Sequence, residues 1–337
     1  FKNESHFSGD YTASHALDAA YAQADIPLSL FQEDVRLVGG VRYEDSDQTV
    51  LSLLLPDGVY ADSSMVVEAD VLPSVSLTWN YDVDLNVRLA YYKSINRPEF
   101  REMANVLRRN YTTYQNERGN PDIKRAVITN YDARIEFFPR SGELLAFSYF
   151  YKDMENPIEE KLIPTAEGPL LTWINSEKGK NYGIEVEARK KLDFLHPLRL
   201  FTLSANYTRI YSEVDYFDSY QSIDTVRPLQ GQAPWLINLN LMYDHAAWRM
   251  TANLLFSKIG RRLHTVGTGS HTDIYLEPRD RLDFVLTKQL LSRYKLKLAI
   301  KNVLDTEEVR TSGGDRIYDY SSISDGTGYA LSLSAGF

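Results

Sequence analysis

The sequence predicts an all-β protein, an antiparallel transmembrane β-barrel, and three observations support this prediction. Apolar and polar residues alternate with a period of two along about 13 segments, as expected for strands with one apolar and one polar face. Aromatic residues stand at the ends of several apolar faces. Short and long connections alternate along the chain, which is typical of a membrane barrel with turns on one rim and loops on the other.

Composition and charge exclude several classes of protein. The 337 residues include 37 Lys and Arg against 46 Asp and Glu, and the net charge of −9 argues against a nucleic-acid-binding protein. The absence of cysteine excludes disulfides, thiolate metal sites and cysteine nucleophiles. No apolar run reaches the roughly 18 residues of a membrane helix. The mean hydropathy of −0.35 is compatible with a barrel, because alternating strands hide their apolar face in an average.

The last predicted strand shows the alternation most clearly. Its apolar face consists of Tyr329, Leu331, Leu333, Ala335 and Phe337, and small or polar residues lie between them. An aromatic residue therefore begins and ends this face, as in the two aromatic girdles of an outer-membrane barrel. A soluble β-sandwich gives no reason for this arrangement, because its apolar face packs against a second sheet.

The same alternation recurs upstream, and the polar face is often charged. Two segments again have aromatic residues at their ends, namely Trp235 with Tyr243 and Trp248 with Phe256. The clearest predicted strands lie at residues 13–23, 35–43, 74–81, 85–91, 131–137, 182–189, 235–243, 248–257, 281–287, 294–301 and 329–337.

The connections predict two different rims. Bacterial single-chain barrels have an even number of strands and both termini on the periplasmic side, so an odd count of about 13 predicts further strands upstream. We therefore interpret residues 1–337 as the C-terminal part of a single barrel domain. Short connections are predicted at 81–84, 139–142, 244–247 and 289–292, and long ones at 45–72, 96–125, 156–170, 213–231, 260–274 and 305–326.

Six segments, in this order, resemble those of the TonB-dependent outer-membrane receptors. The resemblance covers residues 30–337, and the terminal Phe337, with Tyr329 at the start of its strand, is similar to the membrane-assembly signal of barrel proteins. The other five segments contain Arg97-Pro-Glu-Phe-Arg-Glu102, Gly119-Asn-Pro121, Phe150-Tyr-Lys152, Tyr182-Gly-Ile-Glu185 and Asn302-Val-Leu-Asp305.

The resemblance implies a fold and a function. Receptors of this family are 22-stranded barrels plugged by an N-terminal globular domain, which this chain lacks. The family takes up scarce, bulky nutrients, most often ferric siderophores, and otherwise haem, cobalamin or glycans. The resemblance implies that TonB, ExbB and ExbD supply the energy for transport through the plug. It also implies that the barrel lies in a Gram-negative outer membrane, where it contacts lipid and lipopolysaccharide. It implies no cofactor and no nucleic-acid partner.

One long connection, residues 95–125, contains the main candidates for ligand binding. Arg108 and Arg109 lie far from the predicted strands, with Tyr111 and Tyr114 nearby. A basic patch at the outer rim attracts anionic ligands such as a ferric siderophore. In a second loop, Tyr216 and Tyr220 are candidates for stacking on a sugar or catechol, or alternatively for covering the loop's own small core.

Arg97, Glu99 and Arg101 belong to the family-like segment and are candidates for contacts to the lumen wall or the plug. Pairing with one another is the alternative interpretation. His264 and His271 share a glycine-rich loop, but two histidines without further ligands predict no metal site.

The sequence predicts no enzyme, since no nucleophile elbow, P-loop or zincin pattern is present. Two alternative functions stay open at this point. One is a plugless porin-like channel of about 14 strands, which needs one more strand before Ala13. The other is a soluble all-β glycan-binding protein, which would stay in the aqueous phase without detergent.

Overall fold

The computed structural model describes residues 10–30, 33–53, 60–110, 115–166, 168–218, 223–267, 272–290, 293–313 and 318–335. Its helical segments are α1 (Phe100–Met103) and two 3₁₀ turns at His196–Leu198 and Ala246–Trp248. No helix within these ranges is long and apolar enough to cross a membrane. The strands are β1 (Tyr11–Leu30), β2 (Glu33–Leu53), β3 (Tyr60–Asp82), β4 (Leu85–Asn96), β5 (Leu107–Asn110), β6 (Gln115–Arg118), β7 (Ala126–Phe137), β8 (Leu144–Glu155), β9 (Ile158–Thr165), β10 (Gly168–Asn175), β11 (Lys178–Lys191), β12 (Phe201–Asp218), β13 (Ile223–Arg227), β14 (Trp235–His245), β15 (Met250–Ile259), β16 (Arg262–Thr265), β17 (Ile274–Leu276), β18 (Arg279–Leu290), β19 (Tyr294–Lys301), β20 (Glu308–Ser312), β21 (Tyr318–Ile323) and β22 (Gly328–Ala335).

Most strands belong to one large antiparallel sheet, which we call the wall. Its order is β1-β2-β3-β4-β7-β8-β11-β12-β14-β15-β18-β19-β22, and β13 pairs with β12 beside this path. The prediction of an antiparallel sheet of about 13 strands is therefore confirmed. Short turns connect neighbouring wall strands at one rim, and the long connections leave from the opposite rim.

The long connections are themselves folded into two small sheets. One has the order β5-β6-β10-β9 and the other the order β16-β17-β20-β21. We call these two sheets together the crown. Because their backbone groups pair with one another, these described parts of the connections are strands rather than irregular loops.

The predicted long connection at residues 45–72 is wrong. β2 continues to Leu53 and β3 starts at Tyr60, so most of this range is strand. Asp45 and Asp47 alternate here with Ser46 and Gln48, so both faces of β2 are polar and the apolar periodicity disappears. Pairing with the strands on either side, rather than one apolar face, keeps this part of β2 extended.

On the wall, apolar side chains are exposed and polar side chains are buried, which is the reverse of the pattern in a soluble protein. On β7, the apolar side chains Tyr131 and Ile135 are 47% and 49% exposed. Asn130 and Glu136, on the opposite face of the same strand, are only 2% and 8% exposed. A surface of this kind is stable when its apolar face contacts lipid.

Tyrosines form a continuous row on the apolar face. Neighbouring rings in the row have centroids between 5.2 and 6.3 Å apart, which is the range of favourable aromatic pairs. Tyrosine combines an apolar ring with a hydroxyl group and is therefore common where membrane meets water. The row crosses five adjacent strands through Tyr91, Tyr131, Tyr151, Tyr182 and Tyr211.

Ion pairs connect strands across the polar face. Arg134 on β7 lies 2.8 Å from Glu136 and 2.9 Å from Glu187 of β11. Arg88 of β4 lies 3.0 Å from the other oxygen of Glu136. These contacts link three wall strands through side chains in addition to their backbone hydrogen bonds.

The assignment of faces predicts different effects for two neighbouring substitutions on β15. Leu254 is 40% exposed on the apolar face, and Asn253 belongs to the polar face. We expect Leu254→Arg to destabilise the folded barrel by about 2–4 kcal/mol, because arginine is costly at the bilayer midplane. Asn253→Arg should cost much less. Urea-induced unfolding in lipid vesicles measures both, and equal losses would contradict the face assignment.

An ion cluster joins two turns of the short-turn rim. Glu143 lies in the turn between β7 and β8, and its carboxylate accepts hydrogen bonds from Arg140 at 2.5 Å and from Lys190 at 2.9 Å. The Lys191 N–H adds a bond of 3.3 Å, and Arg140 also pairs with Asp193 at 2.9 Å. These donors hold the pKa of Glu143 at about 2.

This lowered pKa predicts an acid-sensitive turn. The carboxyl group of an unfolded glutamate has a pKa of about 4.3. The stabilisation of the turn by the ion cluster is therefore complete above that pH and is lost as the pH falls towards 2. The protection factors of the amides at residues 138–143, which are corrected for the intrinsic pH dependence of exchange, should therefore fall over this window. We expect Glu143→Gln to remove that pH dependence, while Asp84→Asn in the turn between β3 and β4 keeps it. An unchanged profile in Glu143→Gln would refute the assignment.

Candidate functional site

The long connection at residues 97–125 folds back onto the polar face of β2 and β3. Met103 and Ile123 are 0% and 2% exposed, and they pack against Val50 and Val66 of these strands. Burial of this apolar surface holds the connection in one position. The complete small core consists of Val50, Val66, Met103, Ala104, Val106, Ile123 and Trp173.

Two arginines fix the ends of this connection to the wall. The Arg97 guanidinium lies 2.8 Å from Glu44 and 3.7 Å from Asp70. Arg125 lies 2.7 Å from the other carboxylate oxygen of Asp70 and 3.3 Å from Glu68. The side chains of Arg97, Glu44 and Asp70 are largely buried, and each carboxylate has a second arginine partner, Arg42 for Glu44 and Arg125 for Asp70.

Glu99 and Arg101 remain exposed on the short helix α1. Glu99 is the N-cap of α1, and its N–H donates to the carboxylate of Glu102 at 2.9 Å. Arg101 pairs with Glu99 at 3.2 Å. Of the three candidates for wall or plug contacts, Arg97 therefore contacts the wall, and a contact of Glu99 and Arg101 with a plug stays a prediction.

The second family-like segment packs directly against α1. A side chain at Gly119 would place its Cβ 2.6 Å from the Arg101 carbonyl oxygen, so only glycine allows this approach. The Asn120 N–H donates to the Glu102 carbonyl at 2.7 Å, and its side-chain amide donates to the Trp173 carbonyl at 3.0 Å. These residues therefore position the connection rather than a ligand.

Two further family-like segments have structural roles as well. A Cβ at Gly183 would lie 2.9 Å from the Phe150 ring, which covers this glycine from the neighbouring strand. Asn302 has a left-handed backbone with φ of 52° and is 2% exposed. Its amide donates to the carbonyls of Thr306 and Gly326, and its oxygen accepts from the Thr306 N–H. Asparagine suits this turn because it tolerates the left-handed region.

Arginines form an exposed basic surface on the 97–125 connection. Arg108 and Arg109 lie on β5; Arg109 is exposed, and the Arg108 side chain is 50% exposed and lies 3.0 Å from Glu117. The Arg101 guanidinium lies 5.5 Å from the ring centre of Trp173, within the range of a cation–π contact. These three arginines are exposed at the surface of the connection.

Two carboxyl groups near these arginines are partly withdrawn from water. Burial is the main cause that raises the pKa of Glu102 and of Glu160 above the ordinary value. At Glu160, Arg101 opposes this rise and Glu117 adds to it. Both groups therefore take up a proton more readily than a solvated glutamate, which would leave the arginines less compensated at low pH.

The other residues predicted from the sequence fall in different places. Tyr216 belongs to β12, and only its backbone is described. Tyr329 lies on the exposed face of β22 and is 74% exposed. Four predicted residues lie outside the described part of the chain, namely Tyr111, Tyr114, Tyr220 and Phe337.

A buried ion pair that the sequence does not reveal connects two of the long connections. Arg227 donates to both oxygens of Glu159, at 2.8 and 3.0 Å. Ser176 Oγ donates to the same carboxylate at 2.6 Å, and the Gln230 N–H at 3.1 Å. Glu159 is 4% exposed, so this bidentate pair is shielded from water and satisfied by further donors.

The two sheets of the crown are joined by hydrogen bonds. The Gln230 side chain donates to the carbonyl of His264, and the Leu162 N–H donates to the Val266 carbonyl at 2.8 Å. Three long connections therefore form a single linked body above the wall.

The histidine pair gains no further ligands in the structure. Burial lowers the pKa of His264 on β16, and His271 lies outside the described residues. Within the ranges given above, no group of three or more His, Asp or Glu residues is arranged to hold a metal ion.

The fold and the crown define the class of this protein. A sheet with a lipid-compatible outer face, an ion-paired inner face and an ordered outer cap is the wall of a transmembrane β-barrel. The sequence profile described as TonB dependent receptor-like, beta-barrel, matches residues 3–303. The chain therefore belongs to the family of TonB-dependent receptors, whose barrels lie in the outer membrane, and the resemblance noted from its motifs is confirmed.

Solved structures of several receptors and transporters have a similar fold. A mutant of the ferric enterobactin receptor PfeA of Pseudomonas aeruginosa, in complex with enterobactin, is 15% identical, with a TM-score of 0.60 over 96% of this chain and 55% of that one. The FrpB iron transporter of Neisseria meningitidis is 13% identical, with a TM-score of 0.63 over 97% and 45%. The copper transporter OprC is 14% identical, with a TM-score of 0.66 over 96% and 48%.

The chain spans about half the length of these structures. No curated protein matches the sequence. At this level of identity the similarity establishes the fold, and it leaves the ligand to be inferred from the residues of this chain.

The packing of Gly119 against α1 predicts a local defect on substitution. We expect Gly119→Ala to displace α1 and to weaken the docking of residues 97–125 by about 1–3 kcal/mol, as overpacking usually does. Gly39→Ala on β2 is the matched control, because its Cβ would meet its nearest neighbour only at 4.0 Å. Hydrogen exchange of residues 97–125 measures the difference. Identical exchange in both variants would show that the close approach is unimportant.

Proposed function

We propose that this chain forms the wall and outer loops of an outer-membrane receptor for a bulky anionic nutrient, with a ferric siderophore as the preferred class. The main observation in support is the exposed arginine surface on the 97–125 connection. This connection has seven basic and four acidic residues, in a chain whose net charge is −9. Arg97 and Arg125 are paired with the wall, and the remaining five basic and four acidic residues leave a small local excess of positive charge, which favours an anion over the surrounding acidic surface.

Arg108 and Arg109 are the proposed primary contacts with the ligand. A guanidinium group offers several N–H donors in a fixed plane, which suits carboxylate, hydroxamate or catecholate oxygens. The strand β5 fixes the backbone of both residues in a sheet. Tyr111, Tyr114, Tyr216 and Tyr220 are proposed to add aromatic contacts.

Several proteins of similar structure are receptors or transporters of the proposed class, but the similarity does not identify the ligand of this chain. Three of them are a ferric enterobactin receptor, an iron transporter and the siderophore receptor PirA of Acinetobacter baumannii. A copper transporter shares the same fold, so the fold by itself does not determine the substrate.

Transport in the proposed scheme depends on a plug domain and on an energising system. We propose that a plug domain closes the barrel and that TonB, with ExbB and ExbD, supplies the energy that moves it. Glu99 and Arg101 are the proposed contacts of the outer loops with that plug, since both are exposed beside the anchored Arg97. In this scheme the chain binds and guides its ligand and catalyses no reaction.

Charge reversal tests the proposed ligand site. With the full-length receptor in vesicles, we expect radioiron-labelled siderophores to bind, and Arg108→Glu with Arg109→Glu to weaken binding by about ten-fold or more, since each lost charged hydrogen bond is worth more than 1 kcal/mol. Raised salt should also weaken siderophore binding to the wild-type receptor, because salt screens the attraction between the arginines and the anion. Arg293→Glu, between β18 and β19 on the opposite rim, is the control.

Two outcomes would count against the proposed function. If none of a panel of catecholate, hydroxamate and carboxylate siderophores binds the wild-type receptor, the ligand class is wrong. If binding occurs and the double reversal leaves it unchanged, the ligand site lies elsewhere.

A further inference from the structure

The third wall strand extends well beyond its neighbour. β3 pairs with β4 only from Ser74, opposite Tyr92, to Asp82, opposite Leu85. On its other side it pairs with β2 along its whole length, out to Tyr60. The remainder of β4 pairs with β7 alone. Residues 60–73 of β3, which we call the β3 edge, therefore have a strand neighbour on one side only.

The backbone of the β3 edge is open on its free side. In a strand, about every second residue directs its N–H and C=O away from a given neighbour. The described part of the 97–125 connection contacts the β3 edge through side chains, as where Ser64 Oγ donates to the Pro121 carbonyl at 2.7 Å. Within the described ranges, no backbone group of residues 60–73 pairs with anything other than β2.

The membrane cannot cover this open side. Unpaired backbone groups are not tolerated in contact with hydrocarbon, and a strand needs about 9–11 residues to cross it. Residues 74–80 are paired on both sides, and with Tyr81 and Asp82 at the following turn they provide a crossing of about that length. The β3 edge therefore lies beyond the hydrocarbon at the crown side, where about 3.3 Å per residue gives it a length on the order of 45 Å.

The β3 edge is also rigid without a second neighbour. Val66 belongs to the small core with Met103 and Ile123. Arg125 pairs with both Glu68 and Asp70 from the same side. Apolar packing and ion pairs therefore fix the inner face of the β3 edge, and its backbone stays extended without a second strand neighbour.

We propose that the β3 edge binds an extended polypeptide segment from outside the cell, which adds to the wall as a further strand. This interaction is separate from the proposed uptake of a nutrient. An edge of this length with regularly spaced backbone donors and acceptors matches another strand, and strand addition is a common mode of peptide recognition.

The side chains define the chemistry of the partner segment. Met65, Val67 and Val71 are 59%, 55% and 61% exposed on the outward face. Glu68 has a side chain that is 46% exposed on the inward face. A complementary strand therefore has apolar residues at alternate positions and polar or basic residues between them, where Glu68 already pairs with Arg125.

A second copy of this chain does not fit the β3 edge. Two receptors in one membrane are related by a two-fold axis along the membrane normal. Their strands tilt by about 35–45° from this normal, so the two β3 strands would cross at roughly 70–90°. Pairing needs them nearly antiparallel, and the partner must therefore be a polypeptide free to choose its orientation.

The proposal is tested with a synthetic peptide of alternating valine and lysine and the full-length receptor in detergent. We expect fluorescence anisotropy to show binding of the labelled peptide. The same peptide with N-methyl groups at every second residue should bind about ten-fold more weakly or not at all, because it cannot donate to the edge. Absence of binding, or equal binding of both peptides, would overturn the proposal.

Cross-linking locates the peptide, and the cysteine-free chain makes single cysteines unambiguous. Ala69→Cys lies on the β3 edge, and Asp45→Cys lies directly opposite it on β2, facing the same side of the sheet. A peptide with a terminal cysteine should form a disulfide with Ala69→Cys and not with Asp45→Cys. Equal cross-linking of both variants would place the peptide on the face of the sheet and contradict strand addition.

Discussion

The pairing of every backbone polar group that meets lipid is the constraint on which the rest of this structure depends. It forces the wall strands into one antiparallel ladder and leaves only their side chains to choose between lipid and lumen. Tyr131 and Ile135 face outward, and Asn130 and Glu136 face inward, on the same strand. Folded connections can form only outside the membrane, which is why the crown and its docked 97–125 connection occur at one rim.

The family-like motifs have structural roles in this scaffold. Gly119 allows the 97–125 connection to approach α1, Gly183 makes room for Phe150, and Asn302 closes a left-handed turn. Arg97 pairs with the buried Glu44 and approaches the buried Asp70, and so attaches the start of the connection to the wall. The motifs thus identify the family, while the exposed residues around Arg108 provide the proposed selectivity.

Alternation along the sequence predicted the wall, because each membrane strand has one apolar face, as Leu331 and Leu333 show. It failed at Asp45 and Asp47, where both faces of β2 are polar and the strand continues through pairing alone. The Glu159–Arg227 pair was equally invisible, since its residues are 68 positions apart and neither belongs to a pattern. The sequence predicted that Arg97 contacts the wall or a plug, but its acidic partners depend on the register of β2 and β3.

The Glu159–Arg227 pair has a consequence for how these loops can be redesigned or exchanged between relatives. One transplanted connection would leave half of a buried ion pair behind, with a penalty of several kcal/mol. The connections that share this pair and the two sheets of the crown therefore depend on one another, and a change of specificity through recombination would require joint replacement of residues 97–125, 156–177, 219–234, 260–278 and 305–326.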